Sequence, residues 1–229
     1  MPSYNWLDYA ERPVAERFPG WAVGSEAWRS FVAEILGQEE PSPGVLDDFR
    51  ASTGPILPVL ACPRVFISHR QVDSASALRI AHLSTQEGLE FWLDILDPNL
   101  QALQQTTASL TVQQRALLTA GIIEMALMNS THAKAVMTQE TRGSLWVPYE
   151  YGRVKEAQAV SSRVGSWVHP NLAPKDFPEY MALGVVTYSE REIRQWFTGE
   201  LLAWKGPFGT YPRGTNVPWT WGPTDPLPV

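Results

Sequence analysis

Residues 144–150 read Ser-Leu-Trp-Val-Pro-Tyr-Glu and gather the groups best suited to do chemistry. Ser144 can cap a helix, and Pro148 fits the first turn of that helix, where its missing N–H is not needed. A helix starting near Trp146 places Trp146 and Glu150 four residues apart, an aromatic face and a carboxylate on one side. Upstream, Ser68-His69-Arg70 follows an apolar run and supplies a hydroxyl, an imidazole and a guanidinium able to form charge-assisted hydrogen bonds. Such a set can place a carboxylate beside an aromatic face at the rim of a cleft, with polar groups opposite.

Each residue also has a plainer use. Trp146 can belong to the core, Ser144 can be a helix cap and nothing more, and Arg153, one turn after Glu150, can make that acid half of a helical ion pair. His69 can be a strand-end residue satisfied by backbone. Asp94, at the end of a second expected strand, can hold a neighbouring loop or hydrogen-bond a ribose. Asp97-Pro98 reads as a turn initiator.

The elements that must position these groups alternate along the chain. Arg64 to Ser68 is a short apolar run expected of a strand buried on both faces. Asp73 can cap a helix that carries Ala77, Ile80, Ala81 and Ser84 and stops at Gly88. Leu89 to Ile95 reads as a second strand, and Val112, Ala116, Leu117, Ala120, Ile123 and Leu127 mark an amphipathic helix after a polar stretch. His132 to Thr138, a short run around Trp167-Val168, and Gly184 to Tyr188 complete five expected strands. Strands separated by helices or long connections predict an α/β fold, a flavodoxin-like, doubly wound, five-stranded parallel sheet. In such sheets ligands bind beyond the carboxyl ends of the strands, where neighbouring connections diverge. If the first and third strands adjoin, Ser68-His69-Arg70 faces the segment from Gln139 to Glu150.

The flanks differ. Residues 1–60 are punctuated by Pro41, Pro43, Pro55 and Pro58, and read as an N-terminal helical extension. Its one clear helix runs from Ser25, with Trp28, Phe31, Val32, Ile35 and Leu36 on one face and Gly37 as terminator. Residues 205–229 form a Pro/Trp-rich tail whose Trp219 and Trp221 either cover core surface or meet a partner. No internal repeat is present.

Composition narrows the function classes. With 229 residues, 44% hydrophobic and 18% charged, the chain falls in the globular range. Its net charge of -6 and lack of any Lys/Arg-dense run argue against a nucleic-acid partner. The single cysteine, Cys62, has no intrachain partner, which fits a reducing, cytoplasmic location. The first ten residues lack a basic stretch followed by an apolar one, and no apolar run nears the roughly 18 residues that span a bilayer, so neither secretion nor a membrane partner is expected. His69, His82, His132 and His169 are scattered, so no metal site is expected.

Three segments in order, Arg64-Val65-Phe66-Ile67-Ser68, Phe91-Trp92-Leu93-Asp94 and Ser144 to Glu150, resemble the Toll/interleukin-1 receptor (TIR) domain family. The resemblance covers residues 61–204 and is carried by the combination, since a Trp-x-x-x-Glu pair alone is common. It implies an NAD-cleaving enzyme of the bacterial type, with Glu150 as catalytic glutamate and NAD as substrate rather than cofactor. Ser68, His69, Arg70, Asp94, Ser144 and Trp146 are then candidate substrate contacts. Nicotinamide leaves NAD as a neutral amide, so the absence of a second, proton-donating carboxylate is no objection. The resemblance also implies self-association, an immune effector or sensor as partner, and a role in antiphage signalling or NAD depletion. The alternative is a non-catalytic TIR-like scaffold.

Overall fold

Arg64–Ser68 is buried at all five positions, as a strand with helices on both faces requires. In the computed structural model the described residues are 26–38, 63–105, 110–128, 130–155 and 163–205. Ser25, the prolines of the N-terminal extension, Cys62 and the Pro/Trp-rich tail lie outside them. In chain order the elements are α1 (Glu26–Gly37), β1 (Arg64–Ser68), α2 (Ser74–Gln86), β2 (Glu90–Trp92), α3 (Pro98–Gln105), α4 (Val112–Met128), β3 (His132–Met137), α5 (Trp146–Lys155), β4 (Val164–Val168), β5 (Val185–Thr187) and α6 (Glu190–Lys205). They fall into two compact units, one holding residues 63–93 and 130–205, the other 26–38 and 94–128.

The first unit contains a five-stranded sheet of order β2-β1-β3-β4-β5, parallel throughout. This is the order of the flavodoxin-like, doubly wound sheet expected from the sequence, with β1 beside β3. Ser68 pairs with Ala135 and Phe66 with Ala133, which fixes β1 beside β3. Phe66 also stacks on Trp92 of β2 with ring centroids 4.7 Å apart.

The helices of this unit cover both faces. Lys134 and His132 of β3 meet Trp196 of α6, and Arg79 of α2 binds both carboxylate oxygens of Glu190, so α2 and α6 share that face. Tyr151 of α5 packs toward Ser166 of β4, whose neighbour Gly165 faces Lys134, so α5 covers the opposite face.

Local chemistry explains the ends of these elements and where expectation departs from structure. After α2, Gly88 takes φ 89°. There its N–H reaches Thr85 O at 3.0 Å and the Leu89 N–H reaches Ser84 O at 2.9 Å, the paired bonds that a left-handed glycine completes at a helix end. Asp73 stands at the start of α2 but makes no side-chain cap bond; its carboxylate turns to β3 instead. The second strand is shorter than expected, because Asp94 to Leu96 winds into a 3-10 turn. The sequence reading assigns no helix after β5. Yet α6 buries Ile193, Trp196, Phe197 and Leu201 at helical spacing, and Ser189 Oγ accepts the Glu192 N–H at 3.3 Å to start it.

In the second unit, α1 and α4 share a core of Phe31, Ile35, Leu117, Leu118 and Met125. Leu36, expected on the buried face, is exposed instead. Thr111 and Gln114 cap α4 reciprocally, each backbone N–H bonded to the other's side chain at 2.8 and 3.1 Å. Gln114 also donates to Ile35 O and Gln38 O at the end of α1. Asp97-Pro98 proves to be a helix start rather than a bare turn, since Asp97 Oδ1 accepts the N–H groups of Asn99 and Leu100.

Candidate functional site

α2 leaves β1 for one face of the sheet and α5 leaves β3 for the other. Their neighbouring carboxyl ends therefore border the crevice where open α/β sheets bind ligands. Two hydrogen bonds of opposite sense tie the two sides. Ser68 Oγ, ending β1, donates to Glu150 Oε2 on α5. Thr138 Oγ1, just beyond β3, donates to Asp73 Oδ2 on the β1 side at 3.0 Å. The acid lies on the β3 side in the first tie and on the β1 side in the second.

Glu150 is 7% exposed and sits on a helix that buries Val147, Tyr151 and Val154. Tyr180, from the β4–β5 connection, adjoins it: burial lifts its hydroxyl to about 12, with Tyr151 and Glu150 adding to the rise. Tyr180 therefore stays protonated beside the acid at neutral pH. Its ring meets Tyr151 edge-on at 5.5 Å, and its hydroxyl lies 3.7 Å from Met137 Sδ. Burial likewise pushes Tyr151 to about 12. Ser166 lies close enough to oppose that shift, although the two hydroxyls are not aligned as a hydrogen bond. The Tyr151 hydroxyl also fills the space of Gly184, where a Cβ would stand 2.0 Å from it and 2.4 Å from Val164 O.

Asp73 is half-buried. Burial raises its carboxyl above the usual range, against the Thr138 hydrogen bond, His69, Thr141 and His169, which all pull it down. Behind it, Thr141 Oγ1 accepts the Thr138 N–H at 2.8 Å and lies 2.9 Å from Val136 O. Thr138 Oγ1 accepts N–H groups from Glu140 and Thr141. Each hydroxyl has one hydrogen, so Thr141 gives its own to Val136 and Thr138 keeps its own for Asp73.

Of the residues singled out in the sequence, the structure brings Ser68 and Glu150 into contact. His69 follows them at the same edge, half-buried and close enough to Asp73 to act on its charge. Arg70 is exposed. Ser144 is a helix cap, its Oγ accepting the N–H groups of Trp146 and Val147 at 3.2 and 3.3 Å. Trp146 is 46% exposed rather than core, edge-on to Tyr149 at 5.9 Å. Asp94 belongs to the other compact unit, where its Oδ1 accepts the Ile95 N–H at 2.7 Å in the 3-10 turn.

Sequence reasoning missed Asp73 as anything but a cap, and missed Thr138, Thr141, His169 and Tyr180. A Thr-x-x-Thr directly after a buried strand was the available signal, since two hydroxyls there need partners. It also missed Lys134, a charged residue inside an apolar strand. Lys134 is fully buried and donates to Thr187 Oγ1 at 2.8 Å and Ser166 O at 3.2 Å. Its Nζ lies 4.6 Å from the centroid of the Trp196 ring. Burial holds its ammonium well below the usual lysine range, with Glu192 only partly opposing.

At the amino edge a hydroxyl, an imidazole and a carboxylate also line up. Thr131 Oγ1 is 2.8 Å from His132 Nδ1, and His132 Nε2 is 3.1 Å from Glu200. Thr131 there accepts the Arg64 N–H at 2.9 Å, and Trp196 and Trp204 flank the imidazole. This set fastens β1, β3 and α6 at the edge away from the crevice. Among the described residues, no group of three or more His, Cys, Asp or Glu could hold a metal ion, and no helix is long and apolar enough to cross a membrane.

Compared with models of protein families, with curated proteins and with solved structures, the chain matches none.

Proposed function

We propose that the chain cleaves NAD between nicotinamide and ribose, with Glu150 as the catalytic carboxylate. The reading starts from the resemblance of residues 61–204 to TIR domains. The observation that carries it is the tie between Glu150 and Ser68: a buried acid, oriented by a hydroxyl from the neighbouring strand, at the β1/β3 edge.

The chemistry needs little more. When the nicotinamide–ribose bond breaks, its electron pair leaves with nicotinamide and cancels the positive charge of that ring, so the leaving group takes no proton. The ribose carbon becomes oxocarbenium-like, and a carboxylate beside it lowers the energy of that charge. Water adding to the carbon gives ADP-ribose and releases one proton; attack from within the same molecule gives a cyclic product. Water exclusion decides between them. Ser68 holds one carboxylate oxygen in place, which restricts the rotamers Glu150 must choose among. Self-association, a cytoplasmic location and a role in immune defence through NAD depletion or signalling belong to the same proposal.

The test is product analysis of NAD incubated with wild type and with Glu150→Gln, at several protein concentrations and with a crowding agent. Nicotinamide is expected from wild type alone. No release by an assembled wild type, or equal release by the variant, sinks the reading. A second reading, a scaffold without turnover, draws on exposed apolar side chains in the loops beyond β1 and β3: Val72 is 73% and Leu145 89% exposed. It predicts a stable complex by light scattering and no nicotinamide.

A further inference from the structure

We infer that Asp73 is a second ligand-binding acid of this edge, accepting hydroxyl hydrogens from the substrate's ribose; this rests on the functional reading above. Asp73 directly precedes α2, where a carboxylate ordinarily accepts a backbone N–H and stabilises the helix by about 1 kcal/mol. It makes no such bond. Its Oδ2 is instead held by Thr138 at 3.0 Å, while the Thr141 hydroxyl, 3.5 Å away, gives its hydrogen to Val136 O. Both threonines are buried, and the rest of their hydrogen bonds are internal to the turn they form.

The carboxylate is thus fixed from one side. Among the described residues, both threonine hydroxyls near it face Oδ2, Thr138 donating to it, so Oδ1 keeps its accepting capacity for a ligand. Two imidazoles act on the same carboxylate, His69 from the end of β1 and His169 from the end of β4. Three adjacent strand ends therefore converge on one acid.

The ligand chemistry follows from the sign of the charge. A carboxylate repels phosphate and accepts from hydroxyls, and the neighbouring O–H groups of a ribose offer two donors. An acid at the carboxyl edge of an open parallel sheet is where ribose hydroxyls are commonly bound. Glu150 and Asp73, held by oppositely directed hydroxyl bonds across one crevice, then divide the work: one faces the carbon that develops charge, the other orients the sugar.

The experiment is calorimetric titration with ADP-ribose and with its analogue in which the terminal ribose 2′- and 3′-hydroxyls are replaced by hydrogen. Asparagine at position 73 keeps the shape and an oxygen for Thr138 but removes the charge. Wild type should lose about tenfold or more in affinity for the deoxy analogue, the usual effect of hydrogen bonds to a charged group. Asp73→Asn should bind both compounds alike, and Thr138→Val, which frees the carboxylate to turn, should narrow the preference. A purely structural role would leave the ratio of the two affinities unchanged. Equal preference in wild type and Asp73→Asn, or no binding of ADP-ribose by wild type, overturns the inference. If Asp73→Asn does not fold, an undiminished preference in Thr138→Val overturns it. Binding is read without turnover, so failure of Glu150 to release nicotinamide is seen separately.

Discussion

Glu150 and Lys134 are both buried ionisable side chains of the sheet-containing unit, one on α5 and the other under α6. Glu150 stands at the carboxyl edge, meets a hydroxyl from the neighbouring strand and has the protonated Tyr180 nearby. Lys134 lies inside the sheet, with a hydroxyl, a carbonyl and an indole ring around it. No carboxylate among the described residues comes within ion-pair distance of it. Gly165 even lacks the side chain that would crowd it, since a Cβ there would stand 3.1 Å from Nζ. Burial alone therefore does not mark a working group. On the proposed function, place in the sheet does: a charge at the carboxyl edge can meet a substrate, whereas one in the interior only perturbs the fold.

The strongest way to break this contrast is Glu150→Ala. It should lower nicotinamide release at least about 100-fold, the scale of losing one preorganised electrostatic contact, while the melting temperature stays close to that of wild type. Release that survives would place Glu150 in the same class as Lys134.

Next is Gly184→Ala. Its new methyl would press on the Tyr151 hydroxyl and the Val164 carbonyl, and should cost about 1–3 kcal/mol in denaturant unfolding. A shift in α5 should also reduce release per folded molecule, because Glu150 precedes Tyr151.

Lys134→Met should act in the opposite direction. Removing an amine whose burial is poorly repaid should leave stability unchanged or raise it by about 1–2 kcal/mol at neutral pH. The sign of the pH dependence follows from the lowered pKa. Below the ordinary lysine value of 10.5 the unfolded chain binds a proton that the folded one refuses, so wild-type stability rises with pH from the folded pKa up to 10.5. That slope should vanish in the methionine variant, and an unchanged slope would show the lysine to be charged in place. Ser144→Ala should have the smallest effect, about 1 kcal/mol for the lost cap, with release per folded molecule unaltered; a fall in release would move Ser144 from cap to substrate contact.

The sheet was legible because β1 and β3 carry short apolar runs, Val65-Phe66-Ile67 and Ala135-Val136-Met137, within strands buried at every position, as central parallel strands are. β4 was harder to see, since Gly165 and Ser166 interrupt it and Gly165 faces Lys134 at close range. α3 was obscured by polar residues that give little helical periodicity, so Asp97-Pro98 read as a turn rather than as the start of a helix. Within the candidate site, Glu150 and Ser68 were legible as residues, but their hydrogen bond depends on strand order, which no local pattern encodes. Asp73 was misread for the same reason. Its position at a helix start suggests a cap, and only the pairing of β1 with β3 brings Thr138 within reach.

The two opposed ties across the crevice bear on how this chain can drift in sequence. Surface loops ordinarily tolerate insertions, because closing a slightly longer loop costs little. The segments 69–73 and 138–145 are different, since the first runs from Ser68 to Asp73, the acid bound by Thr138, and the second leads from Thr138 into the helix whose Glu150 is bound by Ser68. One residue added to either would displace Asp73 from Thr138 or Glu150 from Ser68. Length changes should therefore be rare in both segments, and where one does lengthen, the other should change with it.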